Sequence, residues 1–202
     1  MATVTLLALA LQALTLPPFE SVALSSGGQV TIRHGPAQSV TIRQGHAPIR
    51  VSGGRLVIEH CRRGCRRGER LAVEIVTPRL ASATVSDGGL LRLLGRFPAQ
   101  GALAASVSDG GALDLRALPA RQVTASVAQG GIILVSPGER LTASVRQGGR
   151  ISYWGAPVVQ SAIQGGGVIE RGTAADRDRP LADPHPALPP LPPIPASPSL
   201  RR

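Results

Sequence analysis

Two aspartates, Asp87 and Asp109, stand at equivalent places in adjacent copies of one repeated segment. If consecutive copies stack as neighbouring strands, the two carboxylates lie about 5 Å apart. That is the separation a retaining glycosidase needs for its acid and its nucleophile. The same column continues, however, as Gln129, Gln147 and Gln164, and an amide can neither ionise nor attack. A column that runs through every copy is expected to serve the turn and not a reaction. No catalytic residue is assigned, and no cofactor or metal site is expected.

Other chemistry is sparse. Cys61 and Cys65 flank Arg-Arg-Gly, a loop short enough to close as a disulfide once Gly64 lets the chain turn. Such a bond belongs to an oxidising compartment. The rival reading, a metal site with His60 as third ligand, lacks the second ligand pair that zinc sites carry. Arg62, Arg63, Arg66 and Arg67 make this loop strongly basic, a candidate contact for acidic polymers. Trp154 beside Tyr153 could stack a sugar, although anchoring a closing turn is the plainer role. No nucleophile elbow or phosphate loop appears; the latter needs a lysine, and all 22 basic residues are arginine.

The net charge of +10 comes from scattered arginines in a chain with 2% aromatic residues. A nucleic-acid surface would combine a basic stripe with stacking rings. No nucleic-acid partner is therefore expected.

The elements that hold these residues are legible from an internal repeat. Ala83-Thr-Val-Ser-Asp87-Gly-Gly, Ala105-Ser-Val-Ser-Asp109-Gly-Gly, Ala125-Ser-Val-Ala-Gln129-Gly-Gly and Ala143-Ser-Val-Arg-Gln147-Gly-Gly superimpose without gaps. A worn fifth copy carries Gln164. The first turn glycines fall at Gly88, Gly110, Gly130, Gly148 and Gly165, steps of 22, 20, 18 and 17. Further pairs at Gly27-Gly28 and Gly53-Gly54 read as looser versions of the same corner.

Before each corner Val85, Val107, Val127 and Val145 alternate with small or polar residues, the period of a strand with one buried face. After it, Leu91 and Leu93 match Leu113 and Leu115, then Ile133 and Val135, then Ile151 and Tyr153. Paired glycines suit a corner that passes through positive φ. The expected fold is an all-β, right-handed parallel β-helix or solenoid with coils of 17–22 residues, its uncapped ends open to end-to-end stacking.

Around that domain, expected at 19–172, lie two unlike segments. Residues 1–18 contain an apolar run, too short to span a bilayer, that suits the core of a signal peptide. No Lys or Arg precedes it, so a first strand is the alternative. Residues 173–202 are dominated by proline and read as an extended, disordered spacer or a ligand for an aromatic groove. Export to the periplasm, the outer envelope or the extracellular space follows from the signal-like start.

The ordered set of segments resembles the GIN-domain family, the auto-transporter adhesin head domains of unknown function. The likeness runs from Phe19 to Arg171. It rests on Phe19-Glu-Ser-Val, Val30-Thr-Ile-Arg-His-Gly35, Gly54-Arg-Leu-Val-Ile58, Leu71-Ala-Val-Glu-Ile-Val-Thr-Pro78, the serial Gly-Gly turns and Tyr153-Trp-Gly-Ala-Pro157. Where many relatives have Ser-Gly-x-Gly turns, this chain has Asp-Gly-Gly or Gln-Gly-Gly. The resemblance implies a right-handed β-helix-like fold in an exported or envelope-associated bacterial protein and no established reaction; the leading expectation is a non-catalytic interaction module binding a polysaccharide, an envelope component or a protein. A self-assembling structural protein and a glycan-active enzyme are the alternatives.

Overall fold

The computed structural model describes residues 16–25, 27–59 and 70–181. Among these residues fourteen strands form a single sheet. In chain order they are β1 (Ser21–Ser25), β2 (Gln29–His34), β3 (Ser39–Gln44), β4 (Ile49–Ser52), β5 (Arg55–Glu59), β6 (Ala72–Thr77) and β7 (Ser82–Ser86). There follow β8 (Leu90–Leu94), β9 (Gln100–Ser108), β10 (Ala112–Ala128), β11 (Ile132–Arg146), β12 (Arg150–Tyr153), β13 (Val158–Gln164) and β14 (Val168–Arg171). One helical turn, α1 (Ala174–Arg177), comes last.

The sheet has two limbs. One runs β4-β5-β1-β7-β9 and the other β3-β6-β2-β8, and both join the long strands β10 and β11, which bend from one limb into the other. β13 and β14 complete the limbs at the far end. Between the limbs lies one aliphatic core. Ile58, Leu24, Val85, Val107, Val127 and Val145 are ladder neighbours in that order, and each is at most 1% exposed. Val73, Val30, Leu91, Leu113, Ile133 and Ile151 form the matching column on the other limb. Each such side chain contributes roughly 1.5–3 kcal/mol by leaving water.

The expectation of a right-handed parallel β-helix solenoid is overturned. The sheet is of mixed orientation and curls as a half-barrel. β3 pairs antiparallel with β6, and β4 antiparallel with β5. The upstream layers are also assembled out of chain order, β1 lying between β5 and β7 and β2 between β6 and β8. For β4 and β5 the reversal is made at the turn between them. Gly53 and Gly54 take φ of 57° and 71°, and Ser52 then pairs directly with Arg55. This is the two-residue hairpin that positive φ at both central positions favours. Read as another corner of a coil, the Gly-Gly pair in fact reverses the strand.

In the repeats the turn has the same two glycines but a different start. Asp87, Asp109, Gln129 and Gln147 themselves have φ of 54–58°, so the left-handed stretch begins one residue before the glycines. The amide of Gly111 donates to the Ser108 carbonyl at 3.3 Å and closes the turn. The second glycine then lies against the preceding layer. A Cβ on Gly131 would come within 2.4 Å of Val107 Cγ1, and one on Gly149 within 2.5 Å of Val127 Cγ1. That glycine lets the chain leave for the other limb and gives the valine column its room.

Candidate functional site

The turn column is exposed at Asp87, Asp109, Gln129, Gln147 and Gln164. Its layers are joined by backbone: the amide of Gln129 donates to the Arg146 carbonyl at 3.1 Å, and that of Gln147 to the Gln164 carbonyl at 2.9 Å. The Ser86 hydroxyl donates to the Asp87 carboxylate at 3.2 Å. Cys61, Cys65, Arg62, Arg63, Arg66 and Arg67 lie outside the described residues, as do residues 1–15 of the signal-like segment and 182–202 of the proline-rich one. Among the described residues, no group of three or more His, Cys, Asp or Glu is placed to hold a metal, and no helix is long and apolar enough to cross a membrane.

Trp154 is 7% exposed. Its indole Nε1 donates to the Thr173 carbonyl at 2.8 Å, and Gly172 lies so close that a Cβ there would fall 2.3 Å from the ring. On the ring sits the guanidinium of Arg116, 5.4 Å from its centroid. Arg116 is the hub of this region. Its Nε and one terminal nitrogen donate to the two oxygens of Asp114, at 2.8 and 2.5 Å. The terminal nitrogens also donate to the carbonyls of Asp176, Arg177 and Arg179, at 2.7, 2.7 and 2.9 Å. Hydrogen bonding to Asp114 raises the pKa of Arg116 further, outweighing the opposing effect of burial. One side chain therefore ties residues 176–179 down onto the outer face of the sheet.

Sequence reasoning passed over Arg116, treating it as one of many scattered arginines. The available signal was the Asp114-Leu115-Arg116 triplet, because alternate residues on a strand share a face. The outer face it belongs to is highly ordered. Glu74, Thr31, Arg92, Asp114, Leu134, Ser152 and Glu170 are successive ladder neighbours across β6, β2, β8, β10, β11, β12 and β14. Arg33 and Arg43 bind Glu74, at 3.3 and 2.5 Å, and Arg150 binds Glu170 at 3.0 Å. Pro180 and Leu181 cross this face and separate two hollows. One, of about 660 Å³, reaches Arg92, Arg96 and Phe97; the other, of about 450 Å³, reaches Leu134, Arg150 and Trp154.

These features define an all-β domain with serial Gly-Gly turns and an extended, charge-patterned outer face. Residues 99–157 match the family model described as "Putative auto-transporter adhesin, head GIN domain". No curated protein matches the sequence significantly. Among solved structures the chain is similar to a putative adhesin from Bacteroides fragilis, at 16% identity over 79% of this chain and 94% of that one, with a TM-score of 0.41. A putative adhesin from Parabacteroides merdae is 13% identical over 81% and 96%, with a TM-score of 0.37. A putative lipid binding protein from Parabacteroides distasonis is 13% identical over 80% and 96%, with a TM-score of 0.33.

Proposed function

We propose that this protein is an exported, non-catalytic, adhesin-like binding module of the periplasm, outer envelope or cell exterior, and that it contacts a polysaccharide or another envelope component. The observation that carries the reading is the regularity of the outer face, where polar side chains recur at ladder spacing on six of seven adjacent strands, Leu134 of β11 being the exception. Such a surface meets an extended partner at several equivalent points, and many weak contacts then add. The match of residues 99–157 to an adhesin-head family supports it. The test is a glycan array probed with the full chain. Retention of at least one glycan class without its cleavage is expected; retention of none sinks the reading.

A second reading is favoured by one feature of the last layer. Ile163 continues the buried valine column yet is 48% exposed, with Val158 at 68% and Val168 at 40%. Among the described residues β13 pairs only with β11, which leaves an open edge of the kind that recruits another strand. Self-assembly through this end predicts that apparent mass rises with concentration and that Ile163→Lys abolishes the rise.

A further inference from the structure

We propose that the hollow beside Arg92 binds the carboxylates of an acidic polysaccharide, an inference that rests on the adhesin-like reading above. Arg92 lies in the middle of the outer face, half-buried, between Thr31 and Asp114 on the neighbouring strands. Its Nε is buried and has no hydrogen-bond acceptor among the described residues. A guanidinium nitrogen withdrawn from water without an acceptor is costly, and among the described residues no ion pair offsets the charge of Arg92.

The nearby acids cannot. Asp114, the ladder neighbour, spends both oxygens on Arg116. Glu74, one strand beyond Thr31, is held by Arg33 and Arg43. Arg96 and Arg177 line the same hollow, and among the described residues its carboxylates are those of Asp114 and Asp178. The hollow thus gathers four arginines around two acids, one of them fully committed. An external carboxylate answers that imbalance through the terminal nitrogens of Arg92, which a planar guanidinium presents as two parallel donors, its Nε being closed to solvent.

A polymer suits the setting better than a single small anion. Arg43 and Arg33 stand on one side of the hollow and Arg150 on the other, each about half exposed and all on the same face within a few layers of about 4.8 Å each. A chain with repeating carboxylates can meet several of them together. A β-strand peptide is disfavoured, since β2, β8 and β10 beneath the groove are already paired on both sides.

The experiment is calorimetric titration of the full chain with oligogalacturonate, with neutral galactan and anionic phospholipid vesicles as comparison probes. Oligogalacturonate is expected to bind, and Arg92→Gln to weaken it about tenfold or more. Arg96→Gln on the exposed rim weakens it less, whereas Arg140→Gln outside the groove leaves it unchanged. Because Arg92→Gln removes an unpartnered charge, its unfolding midpoint should not fall; if it does, the Arg96 and Arg140 variants decide. Equal losses in all three variants, preference for vesicles, or no oligogalacturonate binding each overturn the inference. Binding of galactan alone overturns it while leaving the adhesin-like reading intact; an empty glycan array removes both.

Discussion

The guanidinium of Arg116 is held between the carboxylate of Asp114 and the ring of Trp154, 2.5 Å from one and 5.4 Å from the centre of the other. Two strands, β10 and the end of β12, are thereby joined to the C-terminal segment through one side chain. Both members of the ion pair are largely buried, at 10% and 13% side-chain exposure.

Arg116→Ala should therefore be among the most damaging substitutions on the outer face. It strands Asp114 without its counter-ion and frees three carbonyls, a loss of about 2–4 kcal/mol by analogy with broken buried pairs. Arg116→Lys should restore only a minor part, because an ammonium cannot form the fork or lie flat on the indole. Urea unfolding measures the loss, and faster tryptic cleavage after Arg177 reports release of the segment. Parent-like stability of the alanine variant would show that the hub is not structural.

The two glycines of one corner should respond differently. Gly130 has φ of 80° and nothing within 4 Å of the position a Cβ would take, so Gly130→Ala costs about 1–2 kcal/mol from backbone strain alone. Gly131→Ala adds a collision with Val107 Cγ1 and with the Gly111 carbonyl at 2.8 Å, and should cost distinctly more. Equal thermal midpoints for the two variants would contradict the packing role of the second glycine.

Gln147 adopts φ of 55°, a conformation a straight-chain residue tolerates poorly, followed by Gly148 at 87°. Gln147→Asn creates the dipeptide such turns prefer and should stabilise by up to about 1 kcal/mol. A destabilised variant would mean that the glutamine side chain holds the column together after all. Thermal melting distinguishes the two.

The turn at α1 carries a pH dependence. The Thr173 hydroxyl donates to Asp176 at 2.6 Å and is the main reason the Asp176 pKa lies below its ordinary value. A depressed acid stabilises the folded form above its unfolded pKa, about 3.9, and this contribution is lost as the pH falls through the folded value. Trp154, whose Nε1 is bonded to Thr173, reports the event. Its fluorescence should hold steady from neutral pH down to the ordinary carboxylate range and change only below it. Thr173→Ala should move the change to higher pH.

The chain sequence by itself determined the all-β character, the repeated corners and which aliphatic residues turn inward. Those features depend on short-range rules: alternation along a strand, and the backbone freedom of Asp-Gly-Gly and Gln-Gly-Gly. Val107, Val127 and Val145 could be aligned because identical local patterns recur at nearly constant spacing. Tertiary structure decided the rest. Gly53-Gly54 closes β4 onto β5 as a hairpin, but the strand on the other edge of β5 is β1, 34 residues away by register (Ser21 to Arg55). Strand orientation in the upstream half is set by such distant pairings, so a local motif could not reveal it. The Arg116 hub and the unmatched Arg92 were hidden for the same reason. An arginine acquires a role only when folding decides which carboxylates stand beside it and which are already taken.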